Sequence, residues 1–141
     1  MEPSFDVMGR QLVECGGLQF EATFRAPAGA TLRVLGEVDG QLTELLRFDD
    51  FIDSPHYHVP ASGPATLFDQ ARFGEPLAWF VSQLRDHLSD LLTEAGYEQI
   101  LTAVDAGAVA DHAGEIRTAM EACVPEGYVR VPGAGLTRSP S

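Results

Sequence analysis

The strongest constraint on the fold is a strict alternation of apolar and polar side chains that begins at Leu18. Over nine residues one parity is apolar and the other polar: Leu18, Phe20, Ala22, Phe24 and Ala26 against Gln19, Glu21, Thr23 and Arg25. A period of two is typical of an antiparallel strand with one face on the core and the other toward water. The sequence therefore predicts a sheet with one apolar face.

Two further strands follow on either side of Asp39-Gly40, with most apolar residues at even positions. A two-residue turn would pair Val38 with Gln41 and so place even residues opposite odd ones. A three-residue loop of Val38, Asp39 and Gly40, with Gly40 in a left-handed bulge, pairs even residues with even ones. Because register follows the apolar pattern, we favour the bulged loop, although Glu44 then falls on the apolar parity.

The second half of the chain carries helical spacing. Pro76 suits a first helical position, and apolar residues recur at intervals of three and four from there to Ala95, just before Gly96. The later segments are expected to be a short helical piece over 98–104, a helix capped by Asp105 and ending at Pro125, an extended stretch over 128–131 and a frayed tail over 132–141.

Together these patterns predict a single α+β domain over residues 1–141. An antiparallel meander of three to four strands occupies residues 18–59 and ends in a short edge strand at His56–Val59. A long amphipathic helix and a further C-terminal helix occupy residues 76–124. The long helix is expected to pack on the apolar sheet face, in a core that includes Phe20, Phe24, Leu32, Val34, Leu84, Leu88 and Leu91.

Charge argues against two classes of partner. The 141 residues include nine basic residues, all Arg, and 21 acidic ones, for a net charge of −12. Generic nucleic-acid binding and docking on anionic lipid both need basic surface, so neither is expected. No apolar stretch reaches the length of about 20 residues that a membrane span needs, and the acidic N-terminus does not look like a signal peptide. The sequence predicts a cytoplasmic protein, most simply from a bacterium.

The densest polar cluster is Arg47-Phe48-Asp49-Asp50-Phe51-Ile52-Asp53-Ser54-Pro55-His56-Tyr57-His58. In a strand, His56 and His58 present two imidazoles on one face. They could bind a divalent metal with Asp49, Asp50 or Asp53 as a third ligand, and Asp53 is the aspartate that we place in the predicted metal site. An acid–base site without metal and an ordinary solvated strand face are the alternatives, and no other cofactor is implied.

The segment Leu46-Arg47-Phe48-Asp49-Asp50, followed by a His-rich extended segment and a long helix, resembles the TumE-like toxins of bacterial toxin–antitoxin systems. The resemblance covers about residues 31–95, and this chain has Asp50 where the pattern has Asn. It implies a small nuclease-like toxin. The positions that match as catalytic residues are Arg47, Asp49, Asp50, His56 and His58.

Trp79 is unusual because helical geometry places it almost opposite Leu84 and Leu88, on the expected wet face of the long helix. It is covered either by the C-terminal segment or by a partner, for which a second copy of the chain is the simplest choice. Two hypotheses on function follow. The first is a non-enzymatic interaction or regulatory domain that forms a homodimer through Trp79. The alternative is a small His/Asp-based hydrolase or nuclease-like toxin, metal-assisted if the site binds an ion.

Overall fold

The computed structural model describes residues 5–139, of which 39% lie in strands and 33% in helices. The strands are β1 (Asp6–Cys15), β2 (Leu18–Ala26), β3 (Gly29–Val38), β4 (Gln41–Phe51), β5 (His56–His58), β6 (Thr66–Leu67), β7 (Tyr128–Val131) and β8 (Gly135–Arg138). The helices are α1 (Gln70–Phe73), α2 (Pro76–Glu94), α3 (Ala106–Asp111) and α4 (Ala113–Ala122), with a 3-10 helix at Glu98–Ala103.

The predicted fold class, α+β with a sheet of three to four strands, is wrong. Strands β1 to β6 form one six-stranded antiparallel meander in chain order, and β7 and β8 form a separate two-stranded sheet. The first strand escaped the pattern analysis because most of its residues are exposed, so no apolar alternation marks it. The protein is thus richer in sheet than its helical second half suggested.

The apolar face of the sheet lies where the alternation places it. Of the predicted core residues, Phe20, Phe24, Leu32, Val34, Leu84 and Leu88 are buried, whereas Leu91 is only partly buried against the core. Helices α2 and α4 contribute buried side chains to the same core. The opposite face of the sheet carries the polar parity and is not covered by these helices.

The hairpin between β3 and β4 corrects the predicted bulge. Val38 pairs directly with Gln41 across a two-residue turn, and both turn residues, Asp39 and Gly40, have positive φ angles of 51° and 80°. The extra residue is Leu45, farther along β4, because Leu35 pairs with Glu44 while Val34 pairs with Leu46. Beyond the bulge, even residues therefore pair with even ones, as expected, but Val34 lies opposite Leu46 and not opposite Glu44 as the predicted loop requires.

Two predictions about strand ends are also corrected. Strand β5 is not at the sheet edge, because His56 pairs with Leu67 of β6 on its outer side. The tail is not frayed over Gly135–Arg138, since this segment pairs with β7 and buries Leu136. Residues 140–141 lie outside the described part of the chain.

The helices begin where the capping signals place them. Helix α2 has Pro76 in its first turn, and the Asp105 carboxylate accepts a hydrogen bond from the Ala108 amide at the start of α3. The predicted third helix is divided in two at His112, whose backbone leaves the helical range and whose Nδ1–H donates to the Ala108 carbonyl. Within residues 5–139, no helix is both long enough and apolar enough to cross a membrane.

Candidate functional site

Four polar side chains meet on the face of the sheet that points away from the core. In the antiparallel register of β4 and β5, Asp49 pairs with His56 and Arg47 pairs with His58. Thr31 of β3 pairs with Asp49 on its other side. Because paired residues in adjacent strands share a face, the register alone brings a hydroxyl, a carboxylate and two imidazoles together.

The nitrogen and oxygen atoms of this group converge closely. Asp49 Oδ2 lies 3.0 Å from His56 Nε2 and 3.6 Å from His58 Nε2. Asp49, His56 and His58 each offer one potential ligand atom, and the three atoms lie within 4.8 Å of one another. Thr31 Oγ1 donates a 2.6 Å hydrogen bond to the other oxygen of Asp49 and so fixes the carboxylate in place. We refer to Asp49, His56 and His58 as the His–Asp triad.

Backbone carbonyls fix the tautomers of both imidazoles. His56 Nδ1 lies 2.7 Å from the Ser54 carbonyl oxygen, and His58 Nδ1 lies 2.8 Å from that of Gly63. A carbonyl oxygen only accepts, so each Nδ1 carries the proton and each neutral ring turns an Nε2 lone pair toward Asp49. A lone pair facing a carboxylate is unfavourable unless a cation, either a proton or a metal ion, lies between them.

The pKa values of the pair show how a proton fills this role. The hydrogen bond to Asp49 raises the pKa of His56 above its usual value, although burial opposes the shift. Burial would raise the pKa of Asp49, but hydrogen bonds from His56 and Thr31 outweigh it and hold this pKa below the usual value. The triad therefore stabilises a positive charge next to a buried carboxylate.

An alternating chain of charges runs across the same face beside the triad. Glu21 accepts hydrogen bonds from Arg10 at 2.9 Å and from Arg33 at 3.0 Å. Arg33 also pairs with Glu44, which accepts a 2.8 Å hydrogen bond from Arg47 Nη2. Arg10 is exposed, but Glu21, Arg33, Glu44 and Arg47 are partly buried, so the attraction among these four is screened less than that of an exposed ion pair. The chain of charges ends at Arg47, whose strand partner His58 belongs to the triad.

A family model described as a domain of unknown function (DUF7700) matches residues 5–120. The chain belongs to the DUF7700 family. This match covers the whole six-stranded sheet, and it is not to the TumE-like toxins that the Arg47–Asp50 segment resembles. No curated protein and no solved structure matches the chain.

In this DUF7700 protein, the structure brings together only some of the predicted site residues. Arg47, Asp49, His56 and His58 lie on one face, whereas Asp50 points into the core and forms an ion pair with Arg130 of β7. Alternation along β4 requires this separation, because neighbouring residues of a strand face opposite sides.

Asp53, predicted as the metal-ligating aspartate, lies away from the triad. Its side chain is 80% exposed, and its carboxylate lies 3.7 Å from the guanidinium of Arg138. Proximity in sequence to His56 favoured Asp53, but Asp53 follows the end of β4. The register across the β4–β5 pair selects Asp49 instead.

Trp79 is half-buried within the DUF7700 chain by a segment other than the predicted C-terminal one. Its ring centroid lies 5.2 to 5.3 Å from those of Tyr57, Phe68 and Phe73. The residues that cover it come from β5, from the stretch after β6 and from α1. A role for Trp79 at an interface between two copies stays a prediction.

Sequence analysis missed two residues that border the triad, Thr31 and Arg25. Thr31 is fully buried under the longer polar side chains, and Arg25 is partly exposed on the same face of β2. Both lie on the polar parity of their strands. The predicted three-residue loop would have placed Thr31 opposite Arg47, so the pairing of Thr31 with Asp49 depends on the position of the bulge in β4.

A surface cavity lies away from this site. It has a volume of about 390 Å³ and lies between the start of β2 and the β3–β4 hairpin, where Glu14, Cys15, Leu35 and Glu37 line it. Its two carboxylates have no basic partner among the lining residues, and no cluster of metal-ligating groups opens into it. Within the described residues, the triad is the more convincing candidate for chemistry.

Proposed function

We propose that this protein is a metal-dependent hydrolase whose His–Asp triad binds one divalent transition-metal ion. The observation that carries the proposal is the convergence of two Nε2 lone pairs and one carboxylate oxygen within 4.8 Å. Three such atoms around a tetrahedral zinc ion, with bonds of about 2.0 Å, would be separated by about 3.3 Å. The 3.0 Å and 3.6 Å distances to Asp49 Oδ2 lie on either side of this value.

The surroundings of the triad have the features that metal-binding histidines need. Metal-ligating imidazoles usually donate their second N–H to a carbonyl or carboxylate, which fixes the ring. His56 and His58 do so to Ser54 and Gly63. Thr31 fixes the Asp49 carboxylate by donating a hydrogen bond to its other oxygen. These contacts support a site prepared to exchange the proton on His56 for a metal ion.

Three protein ligands leave coordination positions free for water or substrate. The imidazoles of His56 and His58 are 17% and 18% exposed, so solvent reaches the site from their side. A divalent ion held in this way lowers the pKa of bound water to about 7, which supplies hydroxide near neutral pH. Such a hydroxide would form a bond to the carbon or phosphorus of an ester while the bond to the leaving oxygen breaks, and the proton lost by the water would pass to that leaving oxygen.

The test is calorimetric titration of zinc, nickel and manganese into tag-free protein. We expect one ion per chain for at least one of these metals, with binding lost in the double variant His56→Ala/His58→Ala. Asp53→Asn and His87→Ala are matched controls, because both residues are exposed and neither joins the triad. Equal, weak binding by the wild type and the double variant would refute the proposed metal site.

Hydrolysis is tested separately with chromogenic carboxylate and phosphate esters. Activity should require the added metal, stop on addition of a chelator and be absent from the double variant. Metal binding without any such activity would refute the hydrolase and leave a metal-binding protein. A non-enzymatic, homodimeric interaction domain, a cytoplasmic location and a bacterial source stay predictions.

A further inference from the structure

The arginines of this acidic chain are concentrated on the face that carries the triad. Of nine basic residues in the chain, four lie there: Arg10, Arg25, Arg33 and Arg47. Of 21 acidic residues, five lie on it: Glu14, Glu21, Glu37, Glu44 and Asp49. A chain with nine basic and 21 acidic residues therefore has nearly balanced charge on this face.

Arg25 differs from the other three arginines of the face. Arg10, Arg33 and Arg47 form ion pairs with Glu21 or Glu44. Within residues 5–139, no ion pair includes Arg25, and its buried Nε atom has no hydrogen-bond partner. The buried Nε of Arg47 and the Thr23 hydroxyl also have none. Buried polar groups without partners are costly, so this part of the face is poorly compensated without a ligand.

The strand register places Arg25 and Arg47 at opposite corners around Thr31. Thr31 pairs with Thr23 of β2 and with Asp49 of β4; Arg25 lies two residues along β2 from Thr23, and Arg47 two residues along β4 from Asp49. Burial lowers the pKa of Arg25, and the charge of Arg47 lowers it further, while the charges of Asp49 and Glu44 oppose the shift. The charge of Arg47 in turn acts on Asp49 and His56. Arg25, Arg47 and the triad therefore lie around Thr31. Asp49 and Glu44 are the anions near Arg25, but among the described residues neither forms an ion pair with it.

We propose that Arg25 and Arg47 bind the phosphate group of a small ligand beside the His–Asp triad. A tetrahedral phosphate offers separate oxygens to the two guanidinium groups and a further oxygen to a metal ion on the triad, whereas a carboxylate has only two. Guanidinium groups are well suited to phosphate because they donate several hydrogen bonds in one plane. The two guanidinium contacts do not depend on the proposed function, whereas the contact of a phosphate oxygen with a metal ion rests on it. If the protein is a metal-dependent hydrolase, its substrates are then phosphate esters.

The ligand is expected to be small because the rest of the molecule repels a polyanion. A nucleic-acid backbone would extend past the arginine cluster onto a surface that carries most of the 21 acidic residues. A single phosphate group meets only the local charges of the face. Partial exposure of Arg25 and Arg47 makes them reachable from solvent.

The experiment is calorimetric titration of inorganic phosphate into chelator-treated, tag-free protein at low salt, repeated with one equivalent of nickel. We expect stoichiometric binding that Arg25→Gln weakens at least tenfold, because a charged hydrogen-bond donor is lost. Arg85→Gln is the matched control, since Arg85 is an exposed arginine of α2 whose ion pair among residues 5–139 is with its neighbour Asp86. Acetate at equal concentration should bind much more weakly than phosphate.

Each outcome separates this inference from the proposed function. Phosphate binding that is absent, or equal in Arg25→Gln and wild type, overturns the inference even if nickel binds. Arg25-dependent phosphate binding in a protein that binds no metal sustains the inference and refutes the metal site alone. Circular dichroism checks that Arg25→Gln is folded. If it is not, Arg25→Lys replaces it, with weaker binding expected because Lys lacks the planar pair of donors.

Discussion

Replacing Thr31 with Val tests whether the hydroxyl–carboxylate contact under the triad stabilises the fold. Thr31 and Asp49 are 0% and 2% exposed, and their hydrogen bond is 2.6 Å long. Valine has nearly the same shape, so the change removes the donor and leaves a buried carboxylate oxygen unpaired. We expect Thr31→Val to lower the free energy of unfolding by about 1–3 kcal/mol.

The matched control is Thr23→Val, because Thr23 is the cross-strand partner of Thr31 and is equally enclosed. Its hydroxyl has no hydrogen-bond partner, so its removal should be neutral or stabilising. Urea unfolding at pH 7 measures both effects. The Thr31→Val deficit should shrink as pH falls through the lowered pKa of Asp49, because the neutral carboxyl accepts more weakly. Equal losses in the two variants would refute the reasoning.

Three further predictions concern the core, the thiols and the triad. Leu88→Ala, at a residue 2% exposed, should cost about 2–5 kcal/mol in thermal unfolding, and a negligible loss would contradict the packing of α2. Burial raises the pKa of Cys123 to about 11, so little of this thiol is the reactive thiolate at neutral pH. Iodoacetamide should therefore modify the half-buried Cys15 first in folded protein, and faster labelling of Cys123 would show that it is not buried. By NMR, His56 should titrate above its usual pKa and Asp49→Asn should lower that value. The contribution of protonated His56 to the free energy of unfolding is therefore complete below about pH 6.5, and it is lost as the pH rises through the pKa of His56 in the folded protein. An unchanged titration of His56 in Asp49→Asn would contradict the pairing of these two residues.

The bulge in β4 shows what an apolar pattern can and cannot predict. Even-to-even pairing of the core residues requires one extra residue between the two strands, and the sequence predicts that correctly. The extra residue can lie in the turn or farther along β4, and both places give even-to-even pairs. The pairs differ by two residues, because Val34 would lie opposite Glu44 in the first case and lies opposite Leu46 in the second. Glu44 on the apolar parity and Leu45 on the polar one were the signals for the second place.

The triad shows a similar limit. The sequence predicts that His56 and His58 share a face, because that follows from strand geometry alone. The third member depends on which residue pairs with His56 across the strands, and this register is set by the turn at 52–55. Contacts between distant segments, such as that of Trp79 with Phe68 and Phe73, have no local signal at all.

The ion pair between Asp50 and Arg130 extends the folding unit beyond the family match. The match ends at residue 120, yet β7 supplies the guanidinium that neutralises Asp50 in the core, and β8 supplies the buried Leu136. Removing one partner of a buried ion pair costs about 3–5 kcal/mol, a large share of the stability of a typical domain. A recombinant fragment that stops at residue 120 would therefore carry an uncompensated buried carboxylate, so a self-sufficient fragment must continue through Arg138.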